Sequence, residues 1–330
     1  MTKQMIRIKN AVLHILDRDA GMPVISKEPL ELRVEMKEYL CNHLEKFMDS
    51  GSIKEGHFIE VAEEFLQVNE DNFMETSARL AGNFYSFMEE EANVPDSDLI
   101  YVYFEFAGKM HMAMLKYNYK SAYVHDVEYD GAIIRNRLVK QIRIIANEKQ
   151  SADEGYIVNL EEMNVQLIEK KVEINGKKEN YISDHILNVA AELPLKDQHR
   201  IIEDTCNKII QKQVSDPVSG YFKVADAVRK SVDGEEKVID VQRFVGEVEL
   251  MPDLAQELSL TLKAKGIKNE VKMNAAIEKK VAKSRKIITE EGIEITIPEN
   301  CNVEEMLDFK TNTDGTTNIT IKGIGEYRAR

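Results

Sequence analysis

Three places in the sequence combine residue types that could do chemistry. The densest is His125-Asp126 with Glu128; the others are His57 with Glu60 and Glu64, and Ser183-Asp184-His185. Metal binding needs ligands that converge, yet on a strand His125 and Asp126 point to opposite faces. His57 has acids at helix-like spacing, but no HExxH frame and no second histidine four residues on. In Ser183-Asp184-His185 the residue types of a hydrolytic triad stand side by side, whereas a working triad is assembled in space from separated elements. Ser183 or Asp184 is better placed to cap a helix running from Ile186 to Glu192. No GxxxxGK[ST], GxGxxG or GxSxG pattern occurs. No catalytic residue, metal ligand or cofactor site is therefore assigned, and the chain reads as non-enzymatic.

Charge is the stronger signal. Between residues 263 and 286 lie Lys263, Lys265, Lys268, Lys272, Lys279, Lys280, Lys283, Arg285 and Lys286, against two acids, Glu270 and Glu278. Residues 131 to 143 add Arg135, Arg137, Lys140 and Arg143 with no acid among them. The whole chain carries -14, so the two basic segments, +7 and +4, are set in a body holding -25. A basic strip in an acidic body can track phosphates while the body repels non-specific contact. A solvated face paired with neighbouring acids accounts for the same lysines. Lysine and arginine alone contact the backbone and carry no base readout, so binding would be weakly specific and strongly salt-dependent.

The elements that must position these groups start from a hairpin at Leu99 to Tyr119, LIYVYFEFAGKMHMAMLKYNY. Its arms are apolar on both faces, and Ala107-Gly108 with Lys109 is its turn signal, so the spacing predicts a strand covered on both sides. Tyr101, Tyr103, Tyr117, Tyr119 and Tyr123 crowd it. Such rings could stack unpaired bases, but core packing under helices explains them better.

Two amphipathic helices, Leu30 to Met48 and Phe73 to Met88 after Asn72 as cap, supply the cover. Strands are predicted at Met5 to Asp17, around Val24-Ile25 and at Tyr123 to Val127. A second hairpin turns at Asn175-Gly176. Beyond Leu193-Pro194 come helices at Lys196 to Lys212, Phe222 to Val232, Asp240 to Val248 and Leu254 to Leu262, the last two with Asp240 and Asp253 as caps. Strands at Ile293 to Ile297, Leu307 to Lys310 and Thr317 to Lys322 close the chain. The fold expected is α+β: residues 1–192 form a mostly antiparallel sheet with covering helices, and residues 193–330 form helices ending in a small antiparallel sheet.

Composition agrees. At 330 residues the chain is long enough for two cores. Its three cysteines, Cys41, Cys206 and Cys301, are widely spaced and read as reduced thiols. No run of 18 apolar residues and no signal-peptide pattern is present, so no membrane partner is expected and the cytoplasm is the expected compartment.

Three stretches together resemble the bacterial nucleoid-associated protein family. They are Ala11-Val-Leu-His-Ile-Leu-Asp17, then Val165-Gln-Leu-Ile-Glu-Lys-Lys171 with the Asn175-Gly176 turn and Tyr181-Ile-Ser183, and finally Thr313-Asp-Gly-Thr-Thr-Asn-Ile-Thr-Ile-Lys-Gly-Ile324. The resemblance implies a cytoplasmic protein found with the nucleoid, binding double-stranded DNA without a defined sequence motif and without enzymatic activity. The thirteen basic residues above are the DNA-contacting candidates on charge alone. The acidic total favours contact through a local patch, in a homodimer, or through a protein partner on the chromosome. The alternative function is thus an interaction protein that recruits another chromosome-acting protein and has little DNA affinity of its own.

Overall fold

The computed structural model describes residues 6–120, 122–130, 133–141, 147, 150–213, 217–233, 237–282, 286–288, 292–297, 306–312 and 316–325. The chain divides into two compact units, one of residues 1–48 and 53–192, the other of residues 49–52 and 193–330.

The first unit runs β1 (Arg7–Leu16), α1 (Val34–Met48), β2 (Lys54–Phe58), α2 (Glu63–Gln67), α3 (Phe73–Glu90), β3 (Ser97–Phe106) and β4 (Lys109–Asn118). It continues with β5 (Ala122–Asp130), β6 (Ile133–Gln141), β7 (Glu154–Asn159), β8 (Asn164–Ile168), β9 (Lys171–Ile174), β10 (Lys177–Asn180) and β11 (Val189–Ala191). Seven of these strands pair antiparallel in the order β1-β3-β4-β7-β8-β2-β11.

Ala107 and Gly108, at φ +53° and +78°, make the two-residue turn that the β3–β4 hairpin requires. Asn175 and Gly176, at +50° and +78°, do the same for the separate β9–β10 pair. Every residue of β3 from Ser97 to Phe104 is buried, as the apolar residues on both of its faces predict. On one face Tyr101 stands opposite Met114 and Tyr103 opposite Met112. These side chains join Phe73, Leu80, Phe84 and Met88 of α3 in a single core, where burying each large apolar side chain contributes about 1.5–3 kcal/mol. On the other face Tyr117, one residue along β4 from Lys116, shares a 2.9 Å hydrogen bond with His43 of α1. Helices therefore cover both faces of the hairpin.

One glycine is dictated by this packing. Gly155, at φ +151°, lies opposite Leu115, and a Cβ there would stand 2.2 Å from the Met114 carbonyl oxygen and 3.3 Å from the Phe47 ring.

Two local expectations change. The strand at Val24-Ile25 shrinks to a single bridge between Ile15 and Val24, because Pro23 just before it offers no N–H to a ladder. The helix expected from Ile186 to Glu192 is instead a π-helical turn over Ile182–Leu187. A distant carboxylate starts it: Glu169 Oε2 accepts from Ile182 N at 3.0 Å and Ser183 N at 2.9 Å. Asn188 then adopts φ +53° and sends the chain into β11.

The second unit contains α4 (Leu195–Ile210), α5 (Pro217–Lys230), β12 (Val232–Asp233), β13 (Val238–Asp240), α6 (Val241–Glu247) and α7 (Pro252–Ala264). After these come β14 (Glu270–Lys272), α8 (Ala275–Ala282), β15 (Lys286–Ile288), β16 (Glu294–Thr296), β17 (Leu307–Thr311) and β18 (Thr317–Ile321). Asp240 caps α6, accepting from Arg243 N at 2.9 Å, whereas Met251 rather than Asp253 holds the cap position of α7. The closing strands form two separate pairs, β15–β16 and β17–β18, and β12-β13-β14 make a further small sheet. Ile202, Cys206, Ile209 and Ile210 bury the apolar stripe of α4. The fold is α+β throughout.

Candidate nucleic-acid interface

The basic strip is divided among several elements. Lys263 lies in the last turn of α7, where a cation is favoured by the helix dipole, and Gly266 at φ +81° turns the chain out of that helix. Lys268 follows in the connection, Lys272 closes β14, Lys279 and Lys280 lie in the last turn of α8, and Lys286 opens β15 opposite Thr296. Lys263, Lys265, Lys268, Lys272, Lys279 and Lys280 are all exposed. Lys283 and Arg285 lie outside the described residues.

Helix α4 gathers part of the strip. Lys280 pairs with Glu203 at 3.0 Å, Lys265 Nζ donates to Thr205 Oγ1 at 2.8 Å, and His199 Nε2 lies 3.1 Å from the Lys272 carbonyl oxygen. Positions 203 and 205 stand roughly 200° apart around a helix. Lys265 and Lys280 therefore reach α4 from different sides and do not form one row along it. Of the strip's two acids, Glu278 is paired with Lys237 at 2.8 Å. The Lys280–Glu203 pair is half-open to solvent, where such bonds are worth about 0–1 kcal/mol. A phosphate could exchange for it cheaply.

The second basic segment lies on a two-stranded ribbon, β5 with β6, separate from the large sheet. Arg135, Arg137 and Lys140 are exposed on β6, and Arg143 lies outside the described residues. Register sorts the ribbon's residues. Tyr123 faces Lys140, His125 faces Leu138 and Val127 faces Asn136, while Val124 faces Val139, Asp126 faces Arg137 and Glu128 faces Arg135. His125 and Asp126 thus sit on opposite sides, as the strand geometry requires, and Asp126 is occupied by Arg137 at 3.2 Å.

The remaining candidates separate. Ser183 Oγ donates to Glu169 Oε1 at 2.8 Å, while His185 Nε2 meets Glu179 at 2.8 Å, so serine and histidine face different partners. Glu64 pairs with Arg79 at 3.2 Å. Cys206 is buried, and its burial pushes the thiol up to about 12. Tyr101, Tyr103 and Tyr117 are core residues; Tyr123 alone of the five is exposed, at 68%. Among the described residues no group of three or more His, Cys, Asp or Glu could hold a metal ion, and no helix is long and apolar enough to cross a membrane.

A buried polar network was not legible in the sequence. Lys116 of β4, fully buried, pairs with buried Glu154 at 3.3 Å and donates to Asn118 Oδ1. Glu154 also accepts from Tyr181 OH at 2.8 Å and from Lys170 N at 2.9 Å. Glu169, next to Lys170 in sequence, takes Lys54 at 2.9 Å as well as the start of the π-helical turn. Burial pushes the Lys116 ammonium down to about 8 against the pull of Glu154. Its sequence signal was slight: Lys116 stands directly between the apolar Leu115 and Tyr117. The network pins the segments at 169–170 and 180–183 to the sheet, so its work is structural.

No curated protein matches the chain. The family model described as nucleoid-associated protein YejK matches residues 12–328, nearly its whole length, and the chain belongs to that family.

Proposed function

We propose that this nucleoid-associated protein binds the backbone of duplex DNA, without strong sequence preference and without enzymatic chemistry, through Lys263, Lys265, Lys268, Lys272, Lys279, Lys280 and Lys286. Lys283 and Arg285 complete the strip, and Arg135, Arg137, Lys140 and Arg143 assist. The compartment proposed is the cytoplasm, at the nucleoid. The observation carrying the proposal is that six lysines of the strip are exposed in a chain whose net charge is -14. The test is fluorescence anisotropy of a labelled duplex with the full-length protein at several salt concentrations. Six engaged cations would give a slope of log K against log salt of about -5. A set of lysine-to-glutamate changes at 263, 268, 272 and 279 should abolish binding and leave the circular dichroism unchanged. Binding with an unchanged slope in that variant would show the surface to be wrong.

A second reading has its own observation: Lys265 and Lys280 are bound back to α4, which is how a solvated face paired with neighbouring groups looks. In that reading the acidic surface recruits another chromosome-acting protein, the chain works alone or as a homodimer, and the purified protein shows no duplex affinity even at low salt.

A further inference from the structure

We infer that the β5–β6 ribbon enters the major groove of duplex DNA with one side facing the bases, the side holding Tyr123, His125, Val127, Asn136, Leu138 and Lys140. This rests on the proposal that the chain binds DNA, and assigns the ribbon a part in it that the charge count alone did not.

The ribbon sorts its residues by chemistry. By register the side named carries no carboxylate, whereas Asp126 and Glu128 fall on the other side, opposite Arg137 and Arg135. In an acidic chain this gives a face of hydrogen-bond donors, apolar groups and one lysine, with Asp126 on the opposite side and ion-paired to Arg137. The face is also uncovered: Tyr123 is 68% and Leu138 76% exposed. An isolated two-stranded hairpin is marginal in water, so a ligand laid along it is worth more than cover on an already buried strand.

Charge and shape favour DNA over a second copy of the chain. Nine residues at about 3.4 Å each give a ribbon about 30 Å long, with strands about 4.8 Å apart. Face to face with its own copy, this side would set a lysine and no carboxylate against the same set of groups, with no opposite charge to meet. A two-stranded ribbon does match the major groove, about 12 Å wide. Asn136 brings an amide that can meet purine edges there, Val127 and Leu138 can meet thymine methyls, and Lys140 meets phosphate, so the face discriminates sequence only weakly.

The test uses two neighbouring positions in the full chain. Leu138→Glu puts a carboxylate on the inferred groove side; Val139→Glu, at a site 41% exposed, puts the same charge on the opposite side. By anisotropy with a labelled duplex, Leu138→Glu should weaken binding about tenfold and Val139→Glu less than twofold. A duplex whose thymines carry a bulky 5-substituent should bind the wild type about tenfold more weakly than the plain duplex. Equal losses in the two variants would overturn the inference. So would no loss in either while the strip variants lose binding, in which case DNA binding stands and the ribbon has no part in it. Absence of wild-type binding at low salt would overturn both. If Leu138→Glu alters the sedimentation of the free protein and leaves duplex affinity intact, the face is a self-interface and the inference fails.

Discussion

His14 should make the first unit sensitive to mild acid. The ring is fully buried in β1, opposite Leu99, and its hydrogen bonds admit one protonation state. Nδ1 accepts from Ser26 N at 3.2 Å, so the neutral ring carries its proton on Nε2 and donates to Ser77 Oγ at 3.1 Å. Ser77 in turn donates to the Met74 carbonyl at 2.9 Å. A second ring proton would face the Ser26 N–H, and burial holds the imidazole down at about 4. In the unfolded chain it titrates near its ordinary 6.5. As pH falls below 6.5 the unfolded chain takes up a proton that the folded chain refuses, so stability is complete above that value and is lost on the way to about 4. The gap corresponds to ~3 kcal/mol in all, of which about 2 kcal/mol is gone by pH 5. Urea unfolding followed by circular dichroism at pH 7.5 and 5, for wild type and His14→Gln, isolates this contribution from those of His111 and His199, which burial also lowers. Hydrogen exchange along Arg7–Leu16 assigns it to the first unit. The variant should be the less stable protein at pH 7.5 and should lose about 2 kcal/mol less on acidification. A gap between the two proteins that stays constant within about 0.5 kcal/mol from pH 7.5 to 5 would refute the reasoning.

The other predictions concern the sheet and the strip. Lys116→Met leaves Glu154 buried without its cation and should cost about 3–5 kcal/mol in urea unfolding; adding Glu154→Gln should recover part of that loss. Gly155→Ala, whose Cβ would meet the Met114 carbonyl at 2.2 Å at a backbone angle that favours glycine, should destabilise by about 3 kcal/mol or more by the same measurement. Glu203→Gln releases Lys280, so duplex affinity should rise a few-fold while the salt slope, which already counts Lys280, stays near its wild-type value; unchanged affinity would mean that Lys280 does not meet phosphate.

What could be read beforehand depended on how locally each feature is encoded. The β3–β4 hairpin was legible because its arms are apolar on both faces and Ala107-Gly108 stands between them; the β9–β10 turn was written in Asn175-Gly176. By contrast β2, Lys-Glu-Gly-His-Phe, shows no alternation. It is a strand because Gly56 lets β11 come close, a Cβ there meeting Val189 at 2.6 Å. Lys116 and Glu154 look like any surface charges until the pairing of β4 with β7 places them opposite each other. The lysine strip was visible as composition, but its distribution over α7, β14 and α8 depends on contacts with α4 dozens of residues upstream. The ribbon's sorting into an acid-free side and a side carrying Asp126 and Arg137 needed the register of β5 on β6, which neither strand's own pattern gives.

Residues 49–52 belong to the second unit although the first unit surrounds them in sequence, and this sets a timetable for synthesis. The Ser50 carbonyl receives its hydrogen bond from Asn274 Nδ2, 224 residues later, and the Gly51 carbonyl is met by Lys196 N at 2.8 Å. At a ribosomal rate of about 5–20 residues per second, Ser50 waits roughly 11–45 seconds for its partner. By then the first unit has been complete for several seconds, so its fold must close around a four-residue excursion whose partners do not yet exist. A nascent chain stalled after residue 192 would carry this segment unpaired, a natural point for a chaperone or protease to distinguish unfinished copies from finished ones.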